Sequence, residues 1–435
     1  MRVLYVLLTY LVAPAVIAVE GWRELRNPAH RGRLRQRLGF VARQDPPGCV
    51  WVHAVSVGEV QAATAFVRAL EARFPGRPIV ITTVTPTGAQ RARELLGDRV
   101  RHCYLPYDLP GPVRRFLDRL QPQVAIVLET EIWPTLYAAL GRRGIPLVMA
   151  SARVTPRSAD RYRRMASLFR ETLARGVLIG AQTAADAERF RAIGAPSERI
   201  VVTGNVKFDI EIPQGAIDAG HEFRRTLGGR PVWIAGSTHE GEEAAALEAH
   251  AIVRARHPEA LLVLVPRHPQ RFDAVRGLLR RQGCSYAQRS SGGVPGPDDE
   301  VFLVDTLGEL QMFYAAADVA FVGGSLVPIG GHSLLEPAVL GLPILSGPHT
   351  HNGQEIADRL VGSGALAIVR DAHELGQRVA GRIEQPARAR ADGERGREAV
   401  AQSRGAVGRL VAMVVPLLSP PGGPPAAWSA SSGSR

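Results

Sequence analysis

Cysteine is scarce. The 435 residues hold three, Cys49, Cys103 and Cys284, far apart and with no CxxC pair. An odd count without framework spacing argues against a disulfide scaffold and against a zinc site, and fits a reducing compartment. Lysine is scarcer still: Lys207 stands alone among 53 basic residues, so the chain prefers arginine throughout and the one lysine kept is informative. Aromatic residues make up 6%, and no basic stretch is interleaved with them in the manner of a nucleic-acid surface. The net charge of +12 nevertheless asks for an anionic partner, and a nucleotide or an anionic lipid fits better than nucleic acid. With 46% hydrophobic and 22% charged residues the composition is globular, which excludes wholesale disorder, a collagen repeat and a polytopic membrane protein. At roughly 150 residues per domain, the length suits about two or three domains.

Val3 to Val19 is apolar except for Thr9, and a run of this length is near the lower limit for crossing a bilayer. Two rival readings stand beside an anchor. One is a secretory signal, with Arg2 at its start and Ala13-Pro14-Ala15 as a small-x-small cleavage site. The other is a buried core helix. The arginines that follow, at positions 23, 26, 31, 33, 35 and 37, resist translocation and favour an anchor whose basic flank lies on anionic head groups at the cytoplasmic face.

From Cys49 onward, short apolar runs alternate with amphipathic stretches. Strands are expected at 50–55, 79–83, 100–104, 124–128, 146–150 and 177–180, with helices at 60–73, 88–96, 112–120 and 133–143. The pattern lapses over 207–229 and resumes with strands at 232–235, 261–265, 301–304, 319–322 and 343–345 and helices at 242–256, 270–282, 307–316 and 334–340. Runs apolar on both faces and joined by helices indicate parallel sheets covered on both sides. The expected division is an anchor and basic segment over 1–45, a first doubly wound α/β domain over 46–206, a linker over 207–229, a second α/β domain over 230–418 and a disordered tail over 419–435. Two such sheets direct two sets of strand carboxyl ends at a cleft, where open α/β sheets bind ligands.

The chemistry-bearing residues cluster where strands run into helices. Glu59 follows the first strand and a glycine turn; it can act as a general base towards an alcohol or merely complement the positive end of a helix. The dipole would also weaken it as a base. Thr85-Pro86-Thr87-Gly88 reads equally as a phosphate-binding helix start and as an ordinary capped turn. Glu129 and Glu131, at the end of a buried strand, are costly unless paired or used, and Arg153 after the next strand is a candidate partner or phosphate contact. In the second half, Ser237 precedes His239-Glu240, which lacks the second histidine of a zincin; Arg267-His268 suits phosphate or carboxylate recognition, with a surface ion pair as the alternative. The turn at Gly308-Glu309-Leu310 can face a base or ribose. The glycine segment 323–324, then Gly330-Gly331-His332 with Ser333-Leu334-Leu335-Glu336, offers backbone to a phosphate and a carboxylate to ribose hydroxyls. Asp298-Asp299-Glu300 sits at the edge of a solvated loop and does not read as a metal site, and the pair His349 and His351 lacks supporting carboxylate or Cys spacing.

Taken in order, HAVSVGE, TPTG, YLPYD, ETEIWP, SARVTPRS, GNVKFD, GSTHEGEE, PRHPQRF, DTLGEL, FVGGSL, GGHSLLEPA and GPHTHN resemble the 3-deoxy-D-manno-octulosonic acid (Kdo) transferases of Gram-negative lipopolysaccharide synthesis. The resemblance runs to about Asn352. It implies an α/β fold of two Rossmann-like domains, the GT-B type, with an N-terminal membrane-anchor helix. It implies an inverting transferase at the cytoplasmic face of the inner membrane, with CMP-Kdo as donor, the tetraacyl lipid A precursor as acceptor and no metal cofactor. Glu59 falls on the family's general base; Arg267, His268, Gly308 to Leu310 and Ser333 to Glu336 fall on its CMP-binding segments; Lys207 falls on a motif near the hinge. Glu129, Glu131, Arg153, Lys207 and Ser237 are the candidate acceptor or phosphate contacts. Two departures lie beside the donor segment: Ser333 replaces the usual Asn, and His351-Asn352-Gly353 replaces Phe-Asn-Phe. Another sugar-nucleotide enzyme, such as an epimerase, and a membrane-tethered basic binding protein are the alternatives.

Overall fold

The computed structural model describes residues 2–27, 31–164, 166–173 and 176–418; the expected disordered tail lies outside them. The chain forms two compact units, one running up to Asp209 and resuming at Arg404, the other comprising Ile210–Ser403. Each is built on a seven-stranded sheet in which every strand pair is parallel.

The first sheet contains β1 (Val50–His53), β2 (Ile79–Thr83), β3 (Arg101–Tyr104), β4 (Val124–Leu128), β5 (Leu147–Ala152), β6 (Val177–Ala181) and β7 (Ile200–Val202), in the order β3-β2-β1-β4-β5-β6-β7. Its central strands are buried at every position, which explains their unbroken apolar runs. One core layer gathers Trp51, Phe116 and Leu140 and the other gathers Val52, Phe66 and Ile126. The second sheet contains β8 (Val232–Thr238), β9 (Leu261–Pro266), β10 (Tyr286–Gln288), β11 (Val301–Leu303), β12 (Val319–Val322), β13 (Ile344–Ser346) and β14 (Leu366–Ile368), in the order β10-β11-β9-β8-β12-β13-β14.

Two expected boundaries move. The stretch read as a linker contains the helix Gln214–Thr226, which belongs to the second unit, where Phe223 stacks on Phe302 at 5.3 Å and meets Phe313 edge-on. The last described segment, expected in the second domain, packs on the first sheet's unit: Leu410 and Val414 of the helix Ala406–Val414 enter the core beside Val52. Asp209 caps that helix by accepting from the Gly405 and Val407 amides at 2.6 Å each, and Arg409 donates to the Thr203 carbonyl at 2.7 Å. The first strand also ends earlier than expected, at His53, because the Val55 amide turns to a side chain.

The apolar N-terminal run forms one helix, Arg2–Arg26, long and apolar enough to cross a membrane. Not all the following arginines stay at the surface as expected. Arg33 and Arg37 are buried; Arg33 pairs with Glu20 at 2.9 Å and donates to the Val84 carbonyl, while Arg37 lies over the Tyr107 ring.

Candidate active site

The first sheet reverses its strand order between β1 and β4, and the second between β8 and β12. Open parallel sheets bind ligands outside the strand carboxyl ends at such a switch point. In each unit the chemistry-bearing residues gather there.

Glu59 lies in the first turn of the helix Val57–Arg73 and is half-buried. Its carboxylate folds back on the strand end, accepting from the Val55 amide at 2.8 Å and from the Ser56 hydroxyl at 3.2 Å. Burial pushes its carboxyl up to about 7; the Val55 amide opposes the rise, and the charges of Glu129 and Glu131 add to it. Desolvation and like charge outweigh the helix start, and the carboxyl changes its charge near neutral pH. The register explains the neighbours: β1 pairs with β4 from Val50↔Val124 to His53↔Val127, so the segments leaving these two strands emerge side by side.

Glu129 adopts a left-handed backbone, φ 55°, as do Ser151 (55°) in β5 and Ser237 (58°) in β8. Such residues cost roughly 1–3 kcal/mol each and concentrate at functional sites. The partner of Glu129 is Lys207, whose Nζ donates to its Oε1 at 2.6 Å. Buried amides hold the lysine in place. Its own amide donates to Asn205 Oδ1, Asn205 Nδ2 donates to Gln182 Oε1, and Gln182 Nε2 donates to the Ser151 carbonyl and hydroxyl. Arg153, expected as the partner, instead has its backbone bonded to the Thr130 hydroxyl, and its guanidinium makes no ion pair among the described residues. Glu131 is half-buried, and burial followed by the charge of Glu129 raises its carboxyl. The TPTG segment is a capped turn: Thr85 Oγ1 accepts from the Gly88 amide at 3.0 Å.

In the second unit, Arg267 and His268 stand exposed beyond β9. Arg267 forms no ion pair among the described residues; the neighbouring Arg271 takes that role with Glu240 at 3.0 Å and Glu243 at 3.1 Å. Gly308 is exposed in the left-handed region, φ 89°, and Leu310 begins the helix Leu310–Ala316. Glu309 is ion-paired with Arg289 at 2.6 Å, and that hydrogen bond is the main cause holding its carboxyl below the usual range. Ser333 is exposed, whereas the Leu334 and Leu335 side chains are buried and leave only backbone to a ligand. Glu336 accepts from Gln311 Nε2 at 2.9 Å. Ser237 is buried at the end of β8. Within the segment 351–353 the residue shared with the family, Asn352, donates from its side chain to the Ile329 carbonyl at 3.1 Å and from its backbone amide to the Gly330 carbonyl at 3.0 Å. A Cβ at Gly330 would come within 2.5 Å of Asn352 and His351.

The glycine segment 323–324, expected to let backbone approach a ligand, has another occupant. Glu242, 1% exposed, accepts from the amides of His239 (3.0 Å), Gly324 (2.6 Å), Ser325 (2.9 Å) and Leu326 (2.9 Å). Gly323 is required by this closeness, since a Cβ there would lie 2.7 Å from the Ser237 carbonyl and 2.9 Å from Glu242. Beside the clamp, His239 and His332 meet Nε2 to Nε2 at 2.8 Å, with His268 edge-on to His239 at 5.3 Å. Sequence reading gave no role to Glu242, one of several acidic residues at a helix start, or to Gln182, Ser151 and Asn205, which carry no motif of their own. Asp299 closes its own loop by accepting from the Gly296 amide and the Ser285 hydroxyl. Among the described residues no three His, Cys, Asp or Glu side chains are grouped to hold a metal ion.

Residues 32–210 match the family described as 3-Deoxy-D-manno-octulosonic-acid transferase (kdotransferase). A 3-deoxy-D-manno-octulosonic acid transferase of Haemophilus influenzae is 38% identical over 421 residues, covering 96% of this chain and 99% of the relative. One of Bordetella pertussis is 40% identical over 403 residues, covering 90% and 91%. In fold, the chain is similar to a glycosyltransferase of Rickettsia africae, with a TM-score of 0.55 at 12% identity over 85% of this chain and 99% of that one. The epimerase alternative gives way, because full-length relatives at these identities are named transferases. The chain belongs to the 3-deoxy-D-manno-octulosonic acid transferase family and is a glycosyltransferase that transfers Kdo.

Proposed function

We propose that the acceptor is the tetraacyl lipid A precursor, the donor CMP-Kdo, and the reaction a direct displacement that inverts the anomeric carbon of Kdo. The carrying observation is Glu59, a half-buried carboxyl raised to about 7 at the switch point of the first sheet. In this reading Glu59 takes the proton of the acceptor's primary hydroxyl as the new C–O bond forms. The bond from the anomeric carbon to the phosphate oxygen breaks with its electron pair, releasing CMP. The unit carrying β8 to β14 binds CMP through Arg267, His268, Gly308 to Leu310 and Ser333 to Glu336. Glu129, Glu131, Arg153, Lys207 and Ser237 contribute acceptor or phosphate contacts, with Lys207 held on Glu129 for that role. No cofactor beyond the donor substrate, and no nucleic acid, enters the proposal. Mass spectrometry of the tetraacyl precursor after incubation with the detergent-solubilised protein and CMP-Kdo generated in place tests it. A gain of one or more whole Kdo units is expected; an unshifted acceptor with folded protein would refute this substrate pair.

The helix Arg2–Arg26 is assigned to the cytoplasmic interface of the inner membrane, lying in its plane rather than crossing it. Its sheltered positions, Arg2, Tyr5, Val6, Thr9, Ala13, Ile17, Glu20, Gly21 and Glu24, recur at helical spacing from end to end. At one end Tyr5 donates to Asp108 at 2.9 Å; at the other Glu20 pairs with Arg33 and Glu24 accepts from the Leu34 amide at 2.6 Å. Leu4, Leu7, Leu8, Leu11 and Trp22 face outward and exposed. A helix about 37 Å long that is docked along its length to a water-soluble unit cannot also thread a bilayer core of about 30 Å. An apolar outer face flanked by arginine suits an anionic surface. Arg2→Cys in a Cys284→Ser background is therefore expected to react with a membrane-impermeant maleimide in inverted inner-membrane vesicles without detergent. Labelling only after detergent would place residue 2 across the membrane and reject the in-plane position.

A further inference from the structure

His239 follows β8 and His332 lies in the glycine loop after β12, so the switch point of the second sheet brings two imidazoles together. Their planes differ by 4° with centroids 5.0 Å apart, and Nε2 faces Nε2 at 2.8 Å. Two rings stacked face to face cannot bring atoms so close, so the rings share one plane and are joined by a single N–H···N hydrogen bond. Such a bond holds one proton between two nitrogens. The neutral pair thus has one ring protonated at Nε2 and the other at Nδ1. The charged pair keeps the same bond and adds a proton at the remaining Nδ1. Neither Nδ1 has a protein partner among the described residues.

The surroundings decide which state is populated. Facing the pair are Glu242 and Arg271 from the helix Glu242–Arg254 and the turn after β9, with Arg267 and His268 from the β9 end. Gly324 lets its backbone lie against the rings; a Cβ there would be 2.9 Å from His332. Burial, then His239, Arg267 and His268, lowers His332 to about 4, and burial likewise lowers His239, so the free pair is neutral at physiological pH. A bound anion opposes those causes, because its charge favours the protonated pair.

We propose that the His239–His332 pair is a proton-accepting anion subsite that takes up a proton when the phosphate of the cytidine nucleotide binds, placing one positive charge beside Arg267 against the leaving phosphate. This rests on the donor assignment made above and deepens it. In the donor the phosphodiester carries one negative charge; departure of CMP leaves a second on the phosphate, and the charged pair sits where it can stabilise that change. The proton comes from water before the displacement and returns to water when CMP dissociates.

Calorimetric titration of the full-length protein with CMP, at pH 7.5 in buffers of different ionisation enthalpy, reads the proton directly. At this pH most CMP phosphate is already dianionic, since its second pKa is about 6. Expected is a net fractional uptake of protons on CMP binding, none with cytidine, which lacks the phosphate, and a loss of most of the uptake in both His239→Gln and His332→Gln. Melting curves select the folded variant, and either one suffices. Because uptake also makes the wild-type dissociation constant for CMP rise with pH above 7, that dependence is a second readout requiring no variant. CMP binding without uptake, uptake unchanged in a folded Gln variant, or equal uptake with cytidine would overturn the proposal while leaving the donor assignment standing. Failure of CMP to bind at all would instead overturn the donor assignment and the subsite with it.

Discussion

Glu59→Gln is expected to lower the transfer rate by about 10²- to 10⁴-fold, the range for loss of a positioned general base, while CMP binding stays intact. Glutamine preserves the local bonding, since its carbonyl can accept from Val55 as the carboxylate does. What is lost is the capacity to take a proton. The wild-type enzyme also needs Glu59 ionised in the free state, so kcat/KM should fall as pH drops through about 7, and the residual activity of the variant should lack that inflection. Stability shifts in the opposite sense. A carboxyl raised from 4.5 to about 7 in the folded state favours folding fully below its unfolded value, and that contribution disappears as pH rises through 7. At pH 8 the glutamine variant should therefore melt higher than the wild type, and near pH 4.5 the two should converge. A pH-rate profile with paired melting curves checks all three. Full activity in a folded Glu59→Gln protein would remove Glu59 from the chemistry.

Glu242→Ala should produce the largest loss of stability in the second unit. Its buried carboxylate satisfies four backbone amides drawn from two segments, His239 after β8 and Gly324 to Leu326 after β12. Removing one partner of a buried hydrogen bond costs about 1–3 kcal/mol, so a total on the order of 4 kcal/mol is expected, with a drop of on the order of 10 °C in the transition of a unit this size. Glutamine is no remedy, because its NH₂ would face N–H donors. The same substitution frees the loops that bear His239 and His332, so CMP affinity should fall with stability. Thermal denaturation followed by CMP titration below the new midpoint measures both. A melting curve within a degree or two of wild type would show that the clamp is not needed to hold these segments.

The alternation of buried strands and helices was legible because parallel strands covered on both faces must be apolar at successive positions. β7, β10 and β14 were not, because they are edge strands left partly exposed and so lack the unbroken apolar run; β11 and β13, equally short but fully buried, were legible. The helix Gln214–Thr226 was hidden by glycines that look like breakers. Gly220 serves close packing instead: a Cβ there would lie 2.4 Å from the Met312 carbonyl of the helix Leu310–Ala316. Arg33 and Arg37 resembled their exposed neighbours and turned inward, since only the fold supplies Glu20 and Tyr107 to receive them.

By itself the sequence determined the two α/β halves, the apolar amino terminus and the family, all of which are written in local pattern and motif. Tertiary structure decided the rest, because the deciding partners are distant in the chain. Burial raises the Glu59 carboxyl, and strand order brings Glu129 and Glu131 near enough to add to that rise. It gives Glu129 to Lys207 rather than to Arg153, makes Glu242 a buried clamp, and joins His239 to His332. Desolvation, like-charge proximity and hydrogen-bond geometry all depend on what lies across a sheet, and no local pattern of residues encodes that.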